Sequence, residues 1–202
     1  MRFPSPLVRG ELLRRYKRFF ADVRLPSGEV VVAHCPNSGS MKSCADSGVE
    51  VALLEHDDPA RKLRYTWELV RVGRGWTCVN TMRPNGVVAE AIEQGLIPSL
   101  AGYPALRREV GYGENSRIDI LLEGPEGRVW VEVKNVSMKD PSEPVARFPD
   151  SVTSRGLKHL EELSKVRKKG DRAVMAFFTS RPDVTSVSLA HDIDPAYCAG
   201  FK

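Results

Sequence analysis

The residues best placed to act together chemically lie on one predicted hairpin. In SRIDILLEGPEGRVWVEVKNV, two alternating stretches flank Glu123-Gly124-Pro125-Glu126-Gly127-Arg128, a turn-rich connection. Pairing symmetric about the Pro125–Glu126 bond sets Ile118 opposite Val133, Ile120 opposite Val131 and Leu122 opposite Val129, an apolar face. The other face then sets Arg117 against Lys134, Asp119 against Glu132 and Leu121 against Trp130. Directly opposed side chains have Cβ atoms about 5 Å apart, and like charges placed so destabilise a sheet. A hard divalent cation, Mg2+ or Mn2+, resolves this by taking the carboxylate oxygens as ligands. Asp119 and Glu132 are thus the expected metal-binding acids. The Val133 carbonyl is a further candidate ligand, and Glu90 or Glu109 could complete the shell. Lys134 shares Glu132's face because strand side chains alternate, so it can orient or deprotonate a water, or offset charge on phosphoryl oxygens. Asp119, Glu132 and Lys134 are therefore the expected catalytic set of a nuclease-type site. Glu-x-Lys alone is weak, since solvated sheets often alternate charges, and a one-residue bulge would break the register.

Other residues could grip a polyanion. Arg155 and His159 lie one helical turn apart with Lys158 beside them, and could contact phosphates or merely be exposed. Asn37, Ser38, Gly39 and Ser40, followed by Lys42, could hold a phosphate with amides and hydroxyls, or be a plain turn. Arg14, Arg15, Lys17 and Arg18 interleave with Tyr16, Phe19 and Phe20, the mixture of cations and rings that a single-strand-binding groove uses. A zinc site from His34, Cys35, Cys44 and Cys78 matches no zinc spacing.

These residues need elements to position them. The chain has 202 residues, 42% hydrophobic and 28% charged, enough to bury a real core. Before the boundary near residues 80–86 it reads as five short strands, over 16–25, 29–34, 49–54, 64–72 and 76–80. Short strands with polar loops suggest a small barrel or sandwich, an OB-type barrel if it carries the cationic groove. Beyond the boundary a helix ends at Gly95. Strands follow over 107–112, 117–122 and 128–136, then a helix over 153–169 with Leu157, Leu160, Leu163 and Val166 as its stripe. Ala173 to Thr179 reads as a buried central strand. The expected fold is α+β in two domains: 1–82, an OB-like nucleic-acid-binding barrel, and 83–202, a mixed-sheet α/β domain.

Net charge is +4 with a pI near 8.9, but seven Lys and Arg residues between Met1 and Leu25 face only Glu11 and Asp22. A second cluster, Lys165, Arg167, Lys168, Lys169 and Arg172, closes the long helix, where a macrodipole explanation serves as well. No run approaches the roughly 18 apolar residues of a membrane span, and the opening residues hold no signal-peptide core. The four cysteines then read as reduced thiols in a cytoplasmic protein. The expected partner is DNA, with RNA an alternative and no membrane; the oligomeric state is open, a dimer included.

RYKRF, AHCPNSGSM, RKLRYTWELV, SRIDILL, VEVKNV and FPDSVTSRGLKHLEEL, in this order, resemble the sugar fermentation stimulation protein A family from about Leu12 to Tyr197. The resemblance implies an N-terminal OB-like domain, a C-terminal PD-(D/E)XK nuclease-like domain, DNA binding without marked sequence preference, and a link to regulation of maltose and other sugar metabolism. It maps the nuclease acids onto Asp119 and Glu132, the lysine onto Lys134 and a first-helix acid onto Glu90. It also implies a further strand past the DPAY segment, where this sequence stops at Lys202. The alternatives are a non-catalytic DNA-binding transcriptional regulator or an RNA-processing nuclease.

Overall fold

The computed structural model describes residues 2–201. Six strands open the chain: β1 (Val8–Tyr16), β2 (Phe20–Arg24), β3 (Val30–His34), β4 (Glu50–Glu55), β5 (Tyr65–Val72) and β6 (Gly75–Cys78). They run in the order β3-β2-β1-β4-β5-β6, and a parallel pairing of Ala33 with Tyr65 joins β3 to β5 and closes a five-stranded barrel. Leu12, Val23, Val51, Leu53, Trp67 and Val70 fill it. Burying side chains of this size is worth about 1.5–3 kcal/mol each. The sequence-based expectation of five strands omitted β1. Its residues VRGELLRRY bury only Leu12 fully, and the pairing with β2 shifts between Leu12 and Arg14, which breaks the alternation that marks a strand.

The second half contains α1 (Pro84–Glu93), β7 (Ala105–Tyr112), β8 (Ser116–Gly124), β9 (Gly127–Asn135), β10 (Val145–Phe148), α2 (Ser154–Lys168), β11 (Arg172–Phe178), β12 (Ser186–Leu189) and α3 (Pro195–Gly200). Its main sheet has the order β11-β9-β8-β7, with β11 parallel to β9 and the remaining pairs antiparallel. Val88, Ala89 and Ile92 of α1 pack on one face against Ile120, Leu122, Val129, Val131 and Val133. Leu163 of α2 packs on the other against Ile118, Leu121 and Trp130. Thr153 caps α2 by accepting from the Gly156 amide (3.0 Å), and the basic last turn suits the helix dipole.

β11 corrects the expectation of a central strand. Among the described residues it pairs only with β9, so it is an edge, and no residue in it is fully buried. An apolar run records burial on both faces, but strand neighbours are a tertiary property. β10, β12 and α3 were not read from the sequence; the two strands have four residues each and the helix six.

A largely buried ion pair and a buried arginine's hydrogen bonds fasten the halves. Arg83, just before α1, forms a two-pronged pair with Glu68 of β5 (2.7 and 2.9 Å), and Glu68 is 1% exposed. Arg181 pairs with Asp183 and also donates to the carbonyls of Ser43 (3.2 Å) and Ser137 (2.9 Å), one from each half.

Candidate metal centre

The β8–β9 hairpin has the expected register from Gly124↔Gly127 to Ile120↔Val131. There the ladder ends, and Asp119 explains how the strands continue without it. Its Oδ2 accepts the Val133 amide (2.6 Å), while Oδ1 accepts from Asn85 Nδ2 (2.7 Å). A side chain thus takes the place of a ladder bond, and the strands part where the two acids lie. On the facing strand the β7–β8 pairing also skips this position, running from Arg108↔Ile120 to Val110↔Ile118, and Glu109 has a left-handed φ of 54°. Such a conformation costs a non-glycine residue on the order of 1–3 kcal/mol and tends to occur at functional sites. The faces swap here as well. Ile118 packs with Leu121 on the α2 side, whereas Ile120 packs on the α1 side. Strict alternation had put Ile118 and Ile120 on one face, and the irregularity at Asp119 overturns that.

Glu132 is 2% exposed. Its Oε1 accepts from Lys134 Nζ (2.6 Å) and contacts His159 Nδ1 of α2, while Oε2 is buried with no partner. Burial acts to raise its proton affinity, but the His159 contact and the Lys134 ammonium outweigh it and hold Glu132 below the usual carboxylate range. Asp119 goes the other way: burial first, then the neighbouring Glu132 charge, push it up to about 6. Glu132 is held ionised by the Lys134 ammonium and the His159 contact while Asp119 bears the repulsion, and such perturbed pairs cluster at functional sites. The Tyr112 and Tyr197 hydroxyls are also buried without partners, and burial with Glu132's charge raises both phenols.

Asp119, Glu132 and Lys134 line one cleft of about 700 Å³, with Asn37 to Gly39 and Thr81 from the first half and Arg117, Arg155, Lys158 and His159 from the second. Among the described residues no three His, Cys, Asp or Glu side chains gather as a ready metal site. A cation here would therefore draw on two carboxylates, with water, phosphate or a backbone carbonyl such as that of Val133 filling its remaining positions. The buried, partnerless Glu132 Oε2 fits that role, since a buried carboxylate oxygen without a donor is costly. The cysteines are buried free thiols and do not meet in a metal cluster with His34.

Several expected residues are placed differently. Glu90 does not line the cleft; it accepts from Gln94 (3.3 Å) on its own helix. Five positions on an α-helix turn about 140° away, so Asn85 in the first turn reaches Asp119 and Glu90 does not. Glu109, the other candidate acid, lies within 3.4 Å of Asn85. His159 lines the cleft but is only 7% exposed and is bonded to Glu132. The 37–40 loop forms one wall of the cleft, with two of its amides already engaged. Asn37 Oδ1 takes the Gly39 amide, Asp150 Oδ2 takes the Ser40 amide and hydroxyl, and Ser38 stays exposed. Arg15 spends its guanidinium on the carbonyls of Asn37 (2.8 Å) and Gly39 (3.0 Å) behind that wall. Arg14 pairs with Asp22, Tyr16 stacks on Phe20, and Lys17, Arg18 and Lys42 are exposed outside the cleft lining.

Comparison with known proteins agrees with this architecture. The family model "Sugar fermentation stimulation protein RE domain" matches residues 82–202, and "SfsA N-terminal OB domain" matches 13–79. The sugar fermentation stimulation protein homolog of Rhodospirillum rubrum is 54% identical over 100% of this chain and 86% of its own length. That of Geobacter sulfurreducens is 54% identical over 98% and 84%. The fold matches a structure titled as Pyrococcus furiosus SfsA in complex with Ca2+, at a TM-score of 0.87, 26% identity, and coverage of 98% of this chain and 84% of that one. No helix among the described residues is long and apolar enough to cross a membrane. With both family models covering most of its length and relatives at 54% identity, this chain belongs to the sugar fermentation stimulation protein family.

Proposed function

We propose that this protein binds DNA with little sequence preference and hydrolyses phosphodiester bonds with Mg2+ or Mn2+ in the cleft around Asp119 and Glu132. The observation that carries the reading is the acid pair itself. Asp119 is pushed up to about 6 beside an ionised Glu132 whose second oxygen is buried and unpartnered. The Ca2+ named for the Pyrococcus furiosus protein is in keeping with a hard divalent cation for this one. Such an ion would supply Lewis-acid polarisation of the phosphoryl group and an activated water.

The chain's own residues do the rest. Asp119 and Glu132 provide anionic oxygens, and the Asn85 and Val133 hydrogen bonds fix the orientation of Asp119. Lys134, tied to Glu132, places an ammonium where charge develops on phosphoryl oxygens. Arg117, Arg155 and Lys158 line the same cleft and offset backbone phosphates. Influence on maltose and other sugar metabolism would then follow from action on DNA.

Plasmid and oligonucleotide cleavage with Mg2+ or Mn2+ tests this directly. Wild type should cut, and Glu132→Ala and Lys134→Ala should lose cutting while binding survives. No cutting with either metal, or cutting unchanged in both variants, refutes the catalytic reading. A non-catalytic DNA-binding regulator has one observation in its favour, since Glu132 Oε1 is already engaged by Lys134 and His159. Metal-dependent binding without cutting would support it.

A further inference from the structure

We infer that the cleft takes a DNA strand whose bases are unpaired at the site, with Met82 and Val152 contacting those bases; this rests on the phosphodiesterase reading above. Met82 and Val152 are 75% and 77% exposed, the two highest values among the large hydrophobics of the described residues. One exposed apolar side chain on a surface is ordinary. These two are set apart by where they sit. Thr81 and Pro84, on either side of Met82, line the cleft, and so do Asp150 and Arg155 on either side of Val152.

The loop at 37–40 connects the two positions. Thr81 Oγ1 donates to the Pro36 carbonyl (2.7 Å) at one end, and the Ser40 amide donates to Asp150 (2.9 Å) at the other. The loop is thus tied at both ends, with an exposed apolar side chain close in sequence to the residue that makes each tie. Arg117, Arg155 and Lys158 line the same cleft.

Cations paired with apolar tips recognise a particular ligand chemistry. A duplex hides its base faces in its own stack and presents backbone and groove edges. An unpaired strand presents a charged backbone and free base faces, which apolar and aromatic side chains cover. The loop wall contributes to the same preference. Its Gly39 and Ser40 amides are already taken, by Asn37 and by Asp150, a carboxylate that itself lines the cleft, so neither amide is left for a second backbone's phosphates. The cleft volume of about 700 Å³ is in the range that encloses a drug-sized ligand, on the order of one or two nucleotides of strand rather than a duplex.

The test is fluorescence anisotropy in Ca2+, using a short labelled DNA strand and the same strand in a blunt duplex. Wild type is compared with the double variant Met82→Ser, Val152→Ser. Both side chains are exposed, so the fold should persist, and a thermal melt checks this. Wild type should bind the single strand about tenfold more tightly than the duplex, and the double variant should lose about that factor on the single strand alone. Equal affinity for the two forms, or unchanged single-strand binding in the double variant, overturns the inference. If duplex is bound and cut as well as single strand, only the inference fails. If neither form is bound or cut, the phosphodiesterase reading fails with it.

Discussion

Without a cation, the ionised Asp119 carboxylate faces Glu132 in a partly buried site, and Asp119→Asn should relieve that repulsion. Burial and Glu132 raise Asp119 from an ordinary 3.8 to about 6, a shift corresponding to about 3 kcal/mol, which partial exposure reduces to about 2 kcal/mol. A carboxyl with a raised folded-state value stabilises the fold fully below its unfolded value, and that contribution is lost as pH rises through about 6. Asparagine keeps an oxygen for the Val133 amide but leaves Asn85 Nδ2 without its acceptor, at about 1 kcal/mol. In chelator the variant should therefore be about 1 kcal/mol less stable than wild type near pH 4, and about 1 kcal/mol more stable near pH 8. Urea denaturation across that range measures the difference, and subtracting the two proteins largely removes titrations they share. Saturating Mn2+ should reverse the alkaline order, stabilising wild type by about 3 kcal/mol at a hundred times the dissociation constant, with little effect on the variant. A difference that stays flat with pH, or that grows in wild type's favour as pH rises, would refute the claim of a compressed acid pair.

Three further outcomes follow from other contacts. Arg83→Ala removes the cation from Glu68, which is 1% exposed and, among the described residues, keeps only the Asn80 amide as a side-chain donor; the uncompensated buried charge should cost about 3 kcal/mol in chemical denaturation. A Cβ on Gly39 would lie 2.7 Å from Asp150 Oδ2 and 3.0 Å from Asn37 Oδ1, so Gly39→Ala should displace the loop and weaken DNA binding about tenfold, with barrel stability little altered, as titration and melting would show. Arg117→Ala and Arg155→Ala should each weaken binding and lower the slope of log affinity against log salt by about one, without a change in sequence preference.

The sequence by itself determined the elements whose side chains repeat with a clear period, and the register of the central hairpin from its turn. Leu160 and Leu163 mark α2, and the turn-rich 123–128 segment sets the register that brings Asp119 and Glu132 towards each other. These are local properties, fixed by a helical repeat or by a turn. The change to helical spacing after Asn80 falls between the end of β6 at Cys78 and the start of α1 at Pro84.

Tertiary structure decided the rest, because it depends on which surfaces meet. β1 was obscured by a shift in its pairing with β2, and β11 became an edge because nothing else in the described chain pairs beyond it. The strands part at Asp119 because its side chain takes the Val133 amide, a choice that no alternation pattern encodes. Asn85 displaced Glu90 as the reach of α1 into the site because helix orientation selects one azimuth. His159 turned inward because α2 lies directly over Glu132, where an ionised carboxylate of low exposure requires donors. Sequence spacing named the acids, but only packing could supply their partners and leave one oxygen of Glu132 without any.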